Sequence, residues 1–390
     1  MPADDPNVLT VSKEETGGGQ FRTISAALEA VKPGQTIRVL DAEVYRERLS
    51  IKRASMHTGI SLEAPGGAVL ETTTPRTFLI DIAGVQGVTL RQLRLRASNM
   101  ERCSLVMANG NYSGLRLEGL ELSFQGIGSL NNGIELLAAQ GAGSDPNPVV
   151  VQGCHFRGSN VSVALGTEMS DNVISRIAVR DGTFTDCGGG VRVDGRASAI
   201  QVVGNRFGGM GIAAVQFQFL SPKSEGILLA NNTCYECGSA LRLWDSAPNG
   251  KDVRVRNNLV LGGQRLDMYF LEAENFKTSR GPGDGAAVAK AYDFSHNWRE
   301  GSRPAQADAK AWVPPGPKDV LTDKIDGVNR DPKSPDFLRP AKDSPLATAG
   351  AGNEDPSLPR YVGALPPEGA EPWDWDRAWR MRTKSAEDTK

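Results

Sequence analysis

Six short segments in the middle of the chain carry the residues best suited to chemistry. They read Ile134-Glu-Leu136, Val161-Ser-Val163, Val191-Arg-Val-Asp194, Val215-Gln-Phe-Gln218, Leu241-Arg-Leu-Trp244 and Leu266-Asp-Met-Tyr269. Each alternates apolar and polar residues, the pattern of a strand with one buried face. The apolar set, with Val191, Val215, Leu241 and Leu266, is expected inside. The outward column is then Glu135, Ser162, Arg192, Gln216, Arg242 and Asp267. Beside it runs Leu137, Ala164, Asp194, Gln218, Trp244 and Tyr269. Arginine forks match carboxylates, and aromatic rings offer flat faces to sugar rings. Glu135, Arg192, Asp194, Gln216, Gln218, Arg242, Trp244, Asp267 and Tyr269 are therefore the candidate binding residues for a carbohydrate or anionic polysaccharide. The competing reading is a solvated sheet face with an Arg242–Asp267 cross-strand pair.

Catalysis asks for more. Glycoside hydrolysis needs two carboxyls about 5–9.5 Å apart. Asp194 and Asp267 are expected three coils apart, about 14 Å at the usual strand spacing. Asp245 reaches Asp194 only if its turn folds back. A lyase would use Arg192 or Arg242 as base, with Asp194 and Asp245 as helpers, and carboxylates or calcium to neutralise a uronate. Calcium enters only under that lyase reading; no other cofactor or metal site is expected. His57, His155 and His296 are scattered and read as structural or surface residues. Cys234-Tyr-Glu-Cys237 has redox spacing without a βαβ context, so both cysteines read as core.

A repeat positions these residues. Apolar-x-apolar-x-small/Asn-Asn-x-apolar recurs at Ile200–Phe207, Ile227–Cys234 and Val253–Val260. Degenerate copies begin at Val88, Leu115, Val149 and Ile177, and a last one at Tyr292. No long helical pattern intervenes, so the expected fold is all-β: a right-handed parallel β-helix of eight or more coils. Phe184, Phe207, Cys234 and Val260 form one inward column, and Cys187, Met210, Cys237 and Gly263 another. Asn205, Asn232 and Asn258 form an asparagine ladder. A leucine-rich solenoid is the rival, but its pattern stops at Leu122.

Residues 22–32 predict a short amphipathic helix capping the N-terminal end. The domain expectation is a leader over 1–19, a capped β-helix over 20–300, and a Pro-rich tail over 301–390 packed on or capping it. Thirteen of the 23 prolines and the Trp373, Trp375 and Trp379 cluster lie in that tail. Glycine is in excess, at 44 residues, which suits a chain that turns often. Lys plus Arg (44) nearly balances Asp plus Glu (46), which gives no reason to expect nucleic acid. No apolar run is long enough for a membrane helix, and the first residues are not a secretory signal. Five cysteines argue against a disulfide scaffold. A monomer is expected. The compartment is open, extracytoplasmic if the chain is the sensor part of a larger membrane protein.

Gly19-Gln-Phe-Arg-Thr-Ile-Ser-Ala-Ala-Leu28, Gly34-Gln-Thr-Ile-Arg-Val39 and Val44-Tyr-Arg-Glu47 resemble the start of pectin methylesterases and of many bacterial β-helix proteins of the pectin-lyase-like superfamily. Asp331 to Phe337 with Ser344-Pro-Leu346 resembles the closing motif of bacterial right-handed β-helix proteins. Tyr361 to Glu368 with Trp373-Asp-Trp375 resembles β-helix regions that follow the kinase domain in certain bacterial serine/threonine kinases. The resemblance implies a fold and leaves three functions open. The first is a non-catalytic recognition module for a carbohydrate or anionic polysaccharide, within a larger signalling chain. The second is a polysaccharide lyase, esterase or hydrolase. The third is a structural or protein-interaction solenoid. The methylesterase signatures Asp-Phe-Ile-Phe-Gly and Arg-Pro-Trp are missing, so no catalytic residue is carried over.

Overall fold

A computed structural model describes residues 5–98, 102–125, 130–137, 143–144, 147–167, 172–263, 267–275, 278–301 and 309–387, with the backbone alone at 275 and 383–387. Leu266, expected inside, lies outside the described residues. The chain is a right-handed parallel β-helix of about nine turns. Three strands per coil build three sheets, and the leucine-rich alternative is excluded. Among the described residues no helix is long and apolar enough to cross a membrane.

The chain divides into two compact units, residues 1–198 and 199–390. In the first unit each sheet has an inward apolar column in strict register. Ile37, Leu62, Leu90, Leu117, Val151 and Val179 stack in the first sheet. Tyr45, Leu70, Leu95, Leu122, Phe156 and Phe184 stack in the second. Ile80, Val106, Ile134, Val163 and Val191 stack in the third. All are buried, and the Phe156 and Phe184 rings lie parallel at 4.6 Å. No coil could bury such a face alone, so stacking makes the core.

The expected helix spans Ile24–Ala30, with Thr23 capping Ala26 N–H. Its first two N–H groups, at Ile24 and Ser25, donate to the Glu47 carboxylate. Val8–Val11, within the segment read as a leader, pairs with Thr36–Val39 as the first strand of the first sheet.

From the coil that begins at Thr89 onward, the chain turns from first to second sheet through one left-handed residue. In the first unit these are Gln92, Gly119, Gly153 and Asp181, and in the second Gly204, Asn231, Asn257 and His296. Glycine and asparagine tolerate that backbone best. In the second unit the next residue is asparagine in every coil. Asn205, Asn232 and Asn258 each send backbone and side-chain N–H groups to the amide oxygen of the next, up to Asn297, at 2.9–3.1 Å. Asp319 ends this ladder by accepting both N–H groups of Asn297.

Phe207, Cys234 and Val260 share an inward column, and Cys237 pairs with Gly263. A left-handed Glu236 lets both Cys234 and Cys237 reach the interior. The bond to Cys237, helped by burial, pushes the Cys234 thiol up. The same column continues to Arg299, which is fully buried and held by Asp267 and the Val313 carbonyl, and then to Leu321.

The C-terminal segment packs on the second unit's outer faces. Ile325, Leu338, Leu346 and Val362 cover Leu259 and Leu261. Leu358, Trp375 and Ala378 join Val203, Leu228 and Ala230. The segment ends in a helix, Trp375–Glu387, started by the Asp374 carboxylate accepting from Arg377 N–H. Its Trp375, Ala378 and Trp379 spacing gives one buried stripe.

Candidate functional site

The third sheet carries the residues singled out from sequence. In the first unit, Asp81, Met107, Glu135, Ala164 and Arg192 form one outward row. Ala164, not Ser162, stands in line with Glu135 and Arg192. Ser162 faces the same way two residues earlier and bonds Ser159 and the Gly189 carbonyl. Arg192 grips Asp194 along its own strand at 2.7 Å, and Asp194 is buried. Glu135 accepts from Ser104 Oγ at 2.6 Å.

In the second unit the row is Gln216, Arg242 and Tyr269, with Gln218, Trp244 and Leu271 beside it. This corrects the expected register by two residues. Tyr269 stands beside Arg242, and there is no Arg242–Asp267 cross-strand pair. Asp267 precedes the strand Met268–Asn275 and serves Arg299 and the Trp312 indole N–H instead. Tyr269 is buried and bridges Trp312. Arg242 lies over the Trp244 ring, 4.2 Å from its centroid. Strand alternation puts Asp245 with Leu241 and Leu243, on the opposite side from Arg242 and Trp244. It is buried and accepts from Ser246 and Asn249. Burial raises its carboxyl above the ordinary value, against those bonds. Asp194, Gln216, Gln218, Asp245 and Tyr269 are thus all buried, and little of this face is open to a polymer.

The open surface lies on the second sheet of the first unit. There a groove of about 520 Å³ runs across five coils, from Val69 to Thr185. Two residues past the left-handed corners stand Arg94, Glu121, His155 and Thr183 in register. Two further on stand Arg96, Ser123, Arg157 and Thr185. Leu95, Leu122, Phe156 and Phe184 point inward between the two columns, so alternation forces the polar flanks outward.

The side chains of Arg94, Glu121 and Arg157 are 52, 57 and 74% exposed, so they can meet a ligand. Three arginines face one lining carboxylate, Glu121, which pairs with Arg94 at 3.1 Å. Such an exposed pair is worth little and opens cheaply. At the edge, buried Glu71 holds Arg96 at 2.8 Å, Arg46 at 3.1 Å and Ser98 Oγ at 3.1 Å. Burial alone would raise the Glu71 carboxyl, but those bonds and the Arg96 charge win and hold it below the ordinary value. It therefore positions Arg96 as a permanent anion.

The groove offers guanidinium forks for carboxylates and hydroxyls and an imidazole for sugar oxygens. Among the described residues no group of three His, Cys, Asp or Glu side chains is placed to hold a metal ion. His155, read from sequence as a structural or surface residue, is the third member of the first column. Of the groove's inward column only Phe184 was read from sequence, and the polar residues flanking that column were the signal for the groove.

No family model matches the chain, and no curated protein matches it. Solved structures do. The chain is similar to pectate lyase Pel9A, with a TM-score of 0.51, 15% identity, and coverage of 93% of this chain and 96% of that one. It also matches the GH136 lacto-N-biosidase from Eubacterium ramulus at TM-score 0.40, 10% identity and 69% and 67% coverage. Pectate lyase C from Erwinia chrysanthemi matches at TM-score 0.38, 10% identity and 78% and 84% coverage. At these identities the likeness is one of architecture: the chain carries a parallel β-helix fold like that of pectate lyase Pel9A.

Proposed function

We propose that the protein is a β-helix recognition module that binds an anionic polysaccharide along the second-sheet groove of residues 94–185. The observation that carries this reading is a cationic groove floor, with Arg94 and Arg96 on one coil and Arg157 two coils on, among hydroxyls and a single lining carboxylate. Coils repeat at about 4.8 Å, so the two arginine-bearing coils lie about 10 Å apart, the span of about two sugar residues, and carboxylates on alternate rings of a polymer can meet both. Pel9A, similar with a TM-score of 0.51, is a pectate lyase, which supports this class of ligand. Glu121, the one lining carboxylate, and Glu71 at the edge are both paired with arginines, which favours binding over acid–base chemistry.

The test is calorimetric titration with oligogalacturonates. Wild type binds, Arg157→Gln weakens binding about tenfold, as losing a charge-assisted fork does, and Trp244→Ala changes it little. Weakening by Trp244→Ala with Arg157→Gln unaffected would move the site to the third-sheet row of Gln216, Arg242 and Trp244. Release of unsaturated products from pectate during the titration would make the protein a lyase instead.

A further inference from the structure

We propose a second, separate ligand site in the first unit: a cationic concavity between the helix Ile24–Ala30 and the strand Leu49–Ile51 that takes a tetrahedral oxyanion ester on a small hydroxylated molecule. The cavity measures about 480 Å³, the size of a small-molecule pocket. Leu49 and Ile51 are buried, so alternation sends Arg48, Ser50 and Lys52 outward into it, and Arg53 follows. Ser25 and buried Leu28 supply the facing wall.

Both walls are fixed in place. Glu47 ties the helix start to the strand side through the N–H groups of Ile24 and Ser25, at 3.1 and 2.9 Å. His57 links the two walls again. Its Nδ1 accepts from the Arg53 backbone N–H at 3.3 Å, and its Nε2 donates to the Leu28 carbonyl at 3.1 Å. Arg48 is steadied by Nε donating to the Phe78 carbonyl at 3.3 Å.

The charge balance selects the ligand. Lys52 is neutralised by Asp81. Arg48 and Arg53 have no carboxylate within ion-pair distance among the described residues, and Glu29 is the one acid in the lining. Two uncompensated guanidiniums match the −1.5 to −2 charge, roughly, of a phosphate monoester at neutral pH. Their planar forks and the Ser25 and Ser50 hydroxyls suit tetrahedral oxygens. Among the described residues no aromatic ring lines the cavity. Phosphate and sulfate esters share this chemistry.

The experiment is calorimetry of the full chain with glucose 6-phosphate, glucose 6-sulfate and glucose. Saturable binding of at least one ester, none of glucose, and about tenfold weakening in Arg53→Gln are expected. Arg157→Gln, in the groove, leaves ester binding unchanged. The ester bound more tightly identifies the source. Arg48→Gln removes the bond to Phe78, so the exposed, unpaired Arg53 is the decisive variant. Absence of saturable ester binding below about 10 mM, or equal weakening by Arg157→Gln, overturns the proposal. The second of those outcomes would assign the esters to the groove and leave the polysaccharide reading standing.

Discussion

The two units treat the same coil positions in opposite ways. Two and four residues past the left-handed corner, the first unit places Glu121 and Ser123, His155 and Arg157, and Thr183 and Thr185. The second places Thr233 and Tyr235, then Leu259 and Leu261. The first set is largely exposed, whereas the leucines lie under Ile325, Leu338, Leu346 and Val362. The strand geometry is shared, so the difference is one of what covers the sheet. Where the chain returns to cover a sheet face, that face has become core. Where it does not, the face keeps the polar side chains that a ligand could use.

The largest expected effect comes from putting a charge at this position in each unit. Leu259→Asp buries an unpaired carboxylate beneath the C-terminal segment and should cost about 4 kcal/mol, or prevent folding of that unit. His155→Asp, at the same position of its coil, should lie within about 0.5 kcal/mol of wild type. Urea unfolding of both variants measures this. Equal costs would mean that the groove face is as buried as the covered one, and the contrast between the units would be wrong.

The corners give a smaller, independent test. Asn257 donates to Asn231 and the Pro359 carbonyl and accepts from Ala351 N–H at 2.8 Å. Asn231 reaches the Tyr361 and Gly363 carbonyls. Asparagine in the second unit thus serves both the turn and the strap that covers the sheet. Gly153, at the matching corner of the first unit, serves the turn alone, and a Cβ there would meet nothing within 4 Å. Asn257→Ala should therefore cost about 3 kcal/mol, from stranded buried partners plus a left-handed alanine. Gly153→Ala should cost about 1 kcal/mol from the backbone alone. Thermal melts with matched baselines would separate the two, and similar losses would deny the strap its asparagine anchors.

These contrasts also explain what the sequence disclosed. Inward columns such as Phe207, Cys234 and Val260 were readable because alternation reports which side of a strand a residue takes. The Asn205, Asn232 and Asn258 ladder was readable because it keeps a fixed offset from those columns. The register of the last third-sheet strand was not. A slip of two residues keeps every side chain on its face, so alternation cannot detect it. That is how Asp267 and Tyr269 each came to be placed one column away from where they stand. The groove was hidden for another reason. Whether His155 and Leu259 face solvent depends on residues 325–362, far away along the chain, and no local pattern announces where a covering segment will land.

The smallest effect sharpens the polar side of the comparison. Glu71 is the buried anion that fixes Arg96 at the groove edge, with Arg46 and Ser98 sharing it. Its folded carboxyl sits below the ordinary 4.5, because those bonds and the Arg96 charge outweigh burial. A depressed carboxyl binds its proton more readily in the unfolded chain. Its stabilisation is therefore fully present above pH 4.5 and is lost as pH falls through the folded value. Glu71→Gln should cost about 1 kcal/mol at pH 7, since both arginines are partly solvated. It should also flatten the decline of stability below pH 4.5 that wild type shows. Unfolding curves at a series of pH values, wild type against Glu71→Gln, read both quantities. If the two proteins decline in parallel, Glu71 is not the anion that orders the groove, and Arg96 must be positioned by its strand alone.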